Sequence, residues 1–90
     1  MFRIRRVEPD EKDSGWLGDA TFQTVDQAAD RATQMWANGS ASQDDTLLVW
    51  EVDGAGEIVR AAPALSLDTE ALEVRAAEMA ATAVAALRWY

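Results

Sequence analysis

The chain opens on period-two alternation. Phe2 and Ile4 take one side of an extended segment and Arg3 and Arg5 the other, the pattern of a half-buried strand over residues 2–7. Residues 8–15 gather charges and turn formers, and Pro9 keeps Glu8 out of the helical region, so this stretch reads as a solvated loop. Residues 16–22 are expected to return as a short strand beside the first, with Gly18 and Asp19 weakening the pattern.

At Thr24 the period changes. Thr24 and Gln27 stand at the spacing of a capping box, in which the hydroxyl accepts from an amide one turn in and the Gln27 side chain reaches back. Val25, Ala28, Ala29, Ala32, Met35 and Trp36 then recur on one helical face, leaving Asp26, Asp30, Arg31 and Gln34 for water. Asn38-Gly39 can stop that helix, and residues 40–45 form a polar connector.

Residues 46–52 make the best strand of the chain, rich in β-branched and aromatic side chains and apolar on both faces, as a central strand would be. Asp53, Gly54, Ala55 and Gly56 supply a tight turn, and residues 57–61 resume an extended run, so a β-hairpin closed by Pro63 is expected. From an N-cap at Ser66 or Asp68 the chain turns helical toward Tyr90. Leu72, Ala76, Met79, Ala83, Leu87 and Tyr90 form one apolar stripe, and Val74, Ala77, Ala81, Val84 and Ala85 a second. Such a helix should be wet on one narrow side only. Glu70, Glu73 and Glu78 precede Arg88, an order that complements the helix dipole. Its alanines supply helix propensity, and they would also let a second backbone approach closely.

These elements define a single domain spanning residues 1–90, α+β in class: a three- or four-stranded, largely antiparallel sheet with two helices on one face, in the order β(β)αββα. Residues 31–35 (RATQM) echo residues 75–79 (RAAEM). Duplicated ββα units would produce that echo, but amphipathic helices converge easily on such strings and coincidence is the simpler explanation.

Composition narrows the chemistry. The 90 residues are 49% hydrophobic and 27% charged, too apolar for disorder and too interrupted for a membrane span. With neither histidine nor cysteine, the commonest general base, soft metal ligands and thiolate nucleophile are missing, and Ser14, Ser40, Ser42 and Ser66 have no histidine to activate them. No enzyme activity, cofactor or metal is expected. The opening residues lack the apolar run of a secretory leader, which makes the cytoplasm the expected compartment.

The acidic look of residues 10–15 fails as a calcium loop, since Lys12 occupies a position that needs an oxygen ligand. Residues 53–57 lack the phosphate-binding glycine pattern, and Asp44-Asp45 alone make a poor magnesium site. Trp36 and Trp50 are expected in the core, whereas Trp16 and Trp89, at a loop end and near Tyr90, are candidate aromatic anchors for a partner.

Sixteen acids against eight basic residues give a net charge of −8, which argues against direct contact with nucleic acid or anionic membranes. The leading expectation is therefore a non-enzymatic, protein-binding module whose acids occlude a basic surface of a nucleic-acid-handling protein. Asp10, Glu11, Asp13, Asp44, Asp45 and Asp53 are its candidate contacts, with Trp16 and Trp89 beside them. Size and charge alone give it an analogy with nucleic-acid-mimicking inhibitors such as the anti-CRISPR proteins of phages. The alternative is a dimerisation or assembly module using the alanine-rich C-terminal helix. An enzyme working through carboxylates alone is the third option.

Overall fold

A computed structural model describes residues 1–10 and 13–87. Its centre is an unbroken antiparallel ladder between β1 (Phe2–Val7) and β3 (Thr46–Glu51), with Phe2 opposite Glu51 and Val7 opposite Thr46. β2 (Asp13–Trp16) flanks β1 and β4 (Leu65–Leu67) flanks β3, giving a four-stranded antiparallel sheet in the order β2-β1-β3-β4. The helices α1 (Val25–Ala37) and α2 (Thr69–Leu87) complete the chain order ββαββα. The α+β architecture read from the sequence is the one found.

Alternation sends Ile4, Leu47, Val49 and Leu67 toward the helices, where each is buried. Against them lie Ala28, Ala29 and Ala32 of α1 and Leu72 of α2, all fully buried, while Val25, Met35 and Trp36 pack around the rim. Alanine at the contact lets the α1 backbone come close to the sheet. Trp50 corrects the expectation that it shares this core: it stands cross-strand from Arg3, on the sheet face turned away from the helices.

Both ends of α1 follow from local chemistry. Thr24 Oγ1 accepts from the Gln27 amide at 3.1 Å, and Gln27 Oε1 accepts from the amide of Gln23, one residue before the cap expected for it. At the other end Gly39, with φ +85°, lets the Ser40 amide reach the Met35 carbonyl and its own amide reach that of Trp36. This is a Schellman closure, and the left-handed conformation favours glycine.

The strands at the sheet edges are not where periodicity placed them. The strand expected over residues 16–22 begins instead at Asp13, inside the stretch read as loop, and pairs with β1 through Arg5–Trp16 and Val7–Asp13. After Leu17 the chain leaves the ladder, and its backbone pairs with β1 again at Phe2–Phe22. On the other side the turn forms as read: the Asp53 carboxylate accepts from the Ala55 and Glu57 amides, and Gly56 takes φ +82°. The returning strand, however, is a single Val52–Ile58 bridge, and regular pairing resumes only at Val49–Leu65. Three steps along β3 thus face seven on the returning chain, and the surplus bulges outward through Pro63, which was expected to end a strand over residues 57–61 and instead precedes β4. The Arg60 side chain ties this bulge to Glu51 at 2.8 Å.

Of the two caps proposed for α2, Asp68 is the one used, its carboxylate accepting from the Ala71 amide at 2.8 Å, while Ser66 lies in β4. The expectation that α2 is wet on one narrow side fails. Leu72 is buried and Ala76 and Met79 are half-buried, but Ala80, Ala81, Thr82, Ala83 and Val84 are all exposed. With about 1.5 Å rise per residue, a helix of 19 residues outruns one of 13 by about 9 Å, in keeping with the exposure of residues 80–84.

The echo between the helices belongs to a larger correspondence. β1 and β3 are separated by 44 positions at both ends, as are the caps Thr24 and Asp68 and the helix starts Val25 and Thr69. The chain is architecturally two ββα units that meet edge to edge at β1 and β3. Their inward residues are even-numbered in β1 and odd-numbered in β3, so the strands share a plan without equivalent core positions, whereas Ala28 and Leu72, also 44 apart, are both fully buried.

Leu72 is the fully buried side chain by which α2 holds the core. Leu72→Ala is expected to cost about 2–5 kcal/mol in urea unfolding and to raise amide exchange along α2 before it does so in α1.

Candidate interaction surfaces

The acids expected to form one patch are distributed by the sheet to its two ends. Asp10, in the β1–β2 connection, and Asp44, in the α1–β3 connection, are exposed at the end where Val7 opposes Thr46. The backbone of Asp13 is at that same end, opposite Val7. Asp53 sits at the other end, beyond Glu51, roughly 17–20 Å away along the strands. Glu11 and Trp89 lie outside the described residues.

Asp45 is corrected from contact residue to structural residue, since it is only 2% exposed. Its Oδ2 accepts from the Ser42 amide at 3.1 Å and lies 3.4 Å from Arg6 Nε, an ion pair too poorly aligned to count as a hydrogen bond. Arg6 also reaches Glu8 at 3.3 Å. Asp45 closes the turn through which the chain enters the central strand, and Arg6 reaches it from β1. Asp53 is likewise occupied with its own turn.

The sheet face turned away from the helices is basic and aromatic, which the alternation of β1 implied and the overall charge concealed. The Arg3 and Arg5 guanidinium carbons lie 4.4 and 4.9 Å from the centroid of the Trp16 ring. Each such contact is worth about 0.5–1 kcal/mol at a partly exposed site. Trp16, expected as a surface anchor, is half-buried in this layer. Arg3 also donates to the Gly18 carbonyl at 3.0 Å, which fastens the irregular stretch after β2 to the sheet. The neighbouring Arg3 Nε and Trp50 Nε1 are buried with no acceptor among the described residues.

Elsewhere Arg60 and Arg75 are matched to acids of the chain itself. Arg75 of α2 holds Asp30 at 2.9 Å and Asp26 at 3.6 Å, clamping α2 to α1. By contrast Glu70, Glu73 and Glu78 make no ion pair among the described residues. Among the described residues no group of three or more acids converges as a metal site would, and no helix is long and apolar enough to cross a membrane. The surface concavities are shallow and open. One, of about 530 Å³, lies between α1 and α2 beside Asp30, Arg75 and Met79, and another, of about 320 Å³, lies by Arg3 and the Asp53 turn.

Two features of these surfaces were hidden from the sequence. The exposure of distal α2 depends on where α1 ends, and the burial of Asp45 depends on Arg6 arriving from a strand that is remote in sequence. Neither a protein-family model, nor a curated protein, nor a solved structure is significantly similar to this chain.

The Arg60 hydrogen bond, reinforced by its charge, holds the Glu51 carboxyl below its ordinary value of 4.5 despite some opposing desolvation. A depressed carboxyl pKa stabilises the fold above the unfolded-state value and ceases to do so as pH falls through the folded one. Arg60→Ala should therefore move the Glu51 titration upward toward its ordinary value, read by carboxyl NMR, and leave stability less dependent on pH in that acidic window. Asp45→Ala should cost about 1–3 kcal/mol, because the Ser42 amide and Arg6 lose their acceptor, read as a lower urea midpoint with an unchanged slope.

Proposed function

We propose that this chain is a non-enzymatic, cytoplasmic assembly module that self-associates through the distal half of α2. The observation that carries this reading is the continuation of the helix face bearing Leu72, Ala76 and Met79 into exposed Ala83, which with Asp30 of α1 only borders an open concavity. A face built to be covered thus runs on without cover.

Charge supports the same location. Two copies at −8 each repel wherever acids meet, and residues 79–87 contain no charged side chain. Alanines there allow close helix–helix approach, and an antiparallel pair would bury the same stretch of both copies, as a two-fold contact requires. Placement of the acids at opposite ends of the sheet gives less support to mimicry of a phosphate backbone, which would need them on one continuous surface.

Salt separates the two readings. Sedimentation velocity on the purified chain is expected to show a dimer whose population rises with ionic strength, since screening removes repulsion between acidic copies without weakening an apolar contact. Ala83→Arg, at an exposed position on that same helix face and in the direction that lowers the net negative charge, should abolish the dimer and leave the far-UV circular dichroism unchanged. A strict monomer at about millimolar concentration would refute self-assembly, and capture of a basic partner that weakens with salt would favour the inhibitor reading.

A further inference from the structure

A groove of about 500 Å³ runs between the free side of β4 and the outer flank of α2. Leu65 and Leu67 form its floor on the sheet side, Ala71 and Val74 its apolar wall on the helix side, and Val74 is 54% exposed. It is distinct from the distal stretch of α2 assigned to self-association, because it lies over the first turns of the helix and on another flank.

Three observations together specify an occupant. First, β4 ends the sheet, so its outer edge is a strand edge that no other strand covers among the described residues. Second, the direction of that edge can be assigned. The carbonyls of Glu51 and Val49 accept from Val59 and Ala64 on the β4 side, which places the odd residues of β3 in hydrogen-bonding register with that side. Leu65 and Leu67 oppose Val49 and Leu47, so alternation turns the amide and carbonyl of Ser66 outward. Third, the rim is anionic. Asp68, Glu70 and Glu78 line the groove, while its one cation, Arg75, is held by Asp30 and Asp26.

We propose that this groove receives an extended peptide segment of a partner protein, one that alternates apolar and basic residues and adds to β4 as a fifth antiparallel or parallel strand. Its backbone would pair with Ser66. Its apolar side chains would enter the space between Leu65, Leu67 and Val74, and basic side chains flanking the stretch paired with the three residues of β4 would reach Glu70 and Glu78. Strand addition supplies affinity through the main chain and selectivity through alternate side chains. The −8 charge of the whole molecule favours approach of a cationic segment.

The test uses the full chain and a fluorescein-labelled decapeptide alternating Val and Lys, with binding read by anisotropy. Saturable binding is expected, and it should weaken by about tenfold when the peptide is N-methylated at alternate amides, a change that removes strand hydrogen bonds and leaves charge intact. Ser66→Pro should weaken binding similarly, because the lost amide points away from β3, and Val74→Arg should do so by filling the groove. Absence of saturation below about 1 mM overturns the proposal. So does equal binding of the N-methylated peptide or of a Val–Glu decapeptide, and so does retention of affinity in both Ser66→Pro and Val74→Arg. If peptide binding is intact in the Ala83→Arg monomer, the groove acts independently of self-association, as proposed; if it is lost there, the site is made by the dimer and the single-chain groove is overturned.

Discussion

The structure depends on the closeness of α1 to the sheet. Ala28, Ala29 and Ala32 carry one methyl each and are fully buried against Ile4, Leu47 and Val49. A small domain without disulfides hides only about 60–65% of its unfolded surface, so it cannot leave space under its one well-seated helix. The larger side chains are pushed to the rim, where Met35, Trp36, Phe2 and Phe22 close the gap between helix and sheet. Enlarging any of the three alanines would lift α1 and break the seal along both central strands at once.

Once α1 occupies the middle of the sheet, the second ββα unit cannot repeat the arrangement of the first. α2 is left to the β4 side, entering the core through Leu72 and fastened to α1 by the Arg75 clamp. Arg31, which holds the corresponding place in the first helix, reaches only Gln34 on its own helix. The same short string therefore does different work in the two units, and this is why sequence similarity between them is faint while the placement of strands, caps and helix starts agrees. The length of α2 and the groove beside β4 both follow from this displacement.

What the sequence revealed and what it concealed divide along a physical line. Elements whose stability is local or set by a strong period were legible: β1 from its alternation, α1 from its stripe and cap, β3 from its β-branched run and two apolar faces, and the Asp53 turn from its glycines. The edge strands were not, because a strand such as Asp13–Trp16 or Leu65–Leu67 is made by the unpaired edge beside it rather than by its own residues. Val59 and Ile58 look more like strand than Ser66 does, yet they are 50% and 40% exposed where the chain bulges off β3. The candidate contacts failed for a related reason. Whether Asp45 is a surface acid or a buried one depends on Arg6, and whether Asp10 and Asp53 share a face depends on sheet topology; neither is a property of spacing along the chain.

Charge then decides which surfaces are open to a partner. Arg3, Arg6, Arg60 and Arg75 are each engaged with acids or carbonyls of the same chain, and Arg3 and Arg5 cover Trp16. Arg3 and Arg5 of the basic and aromatic sheet face are thus engaged from within, despite its resemblance in composition to a binding platform, while Arg3 Nε and Trp50 Nε1 have no acceptor among the described residues. The unpaired acids of α2 remain exposed to water along its first half, and the second half carries no charge to repel a neighbour. An acidic molecule with its cations so engaged offers a partner two distinct kinds of surface: an apolar one, where like charges are absent, and an anionic groove that selects the opposite sign. Their separation on a single helix lets one element serve both contacts without either competing for the same side chains.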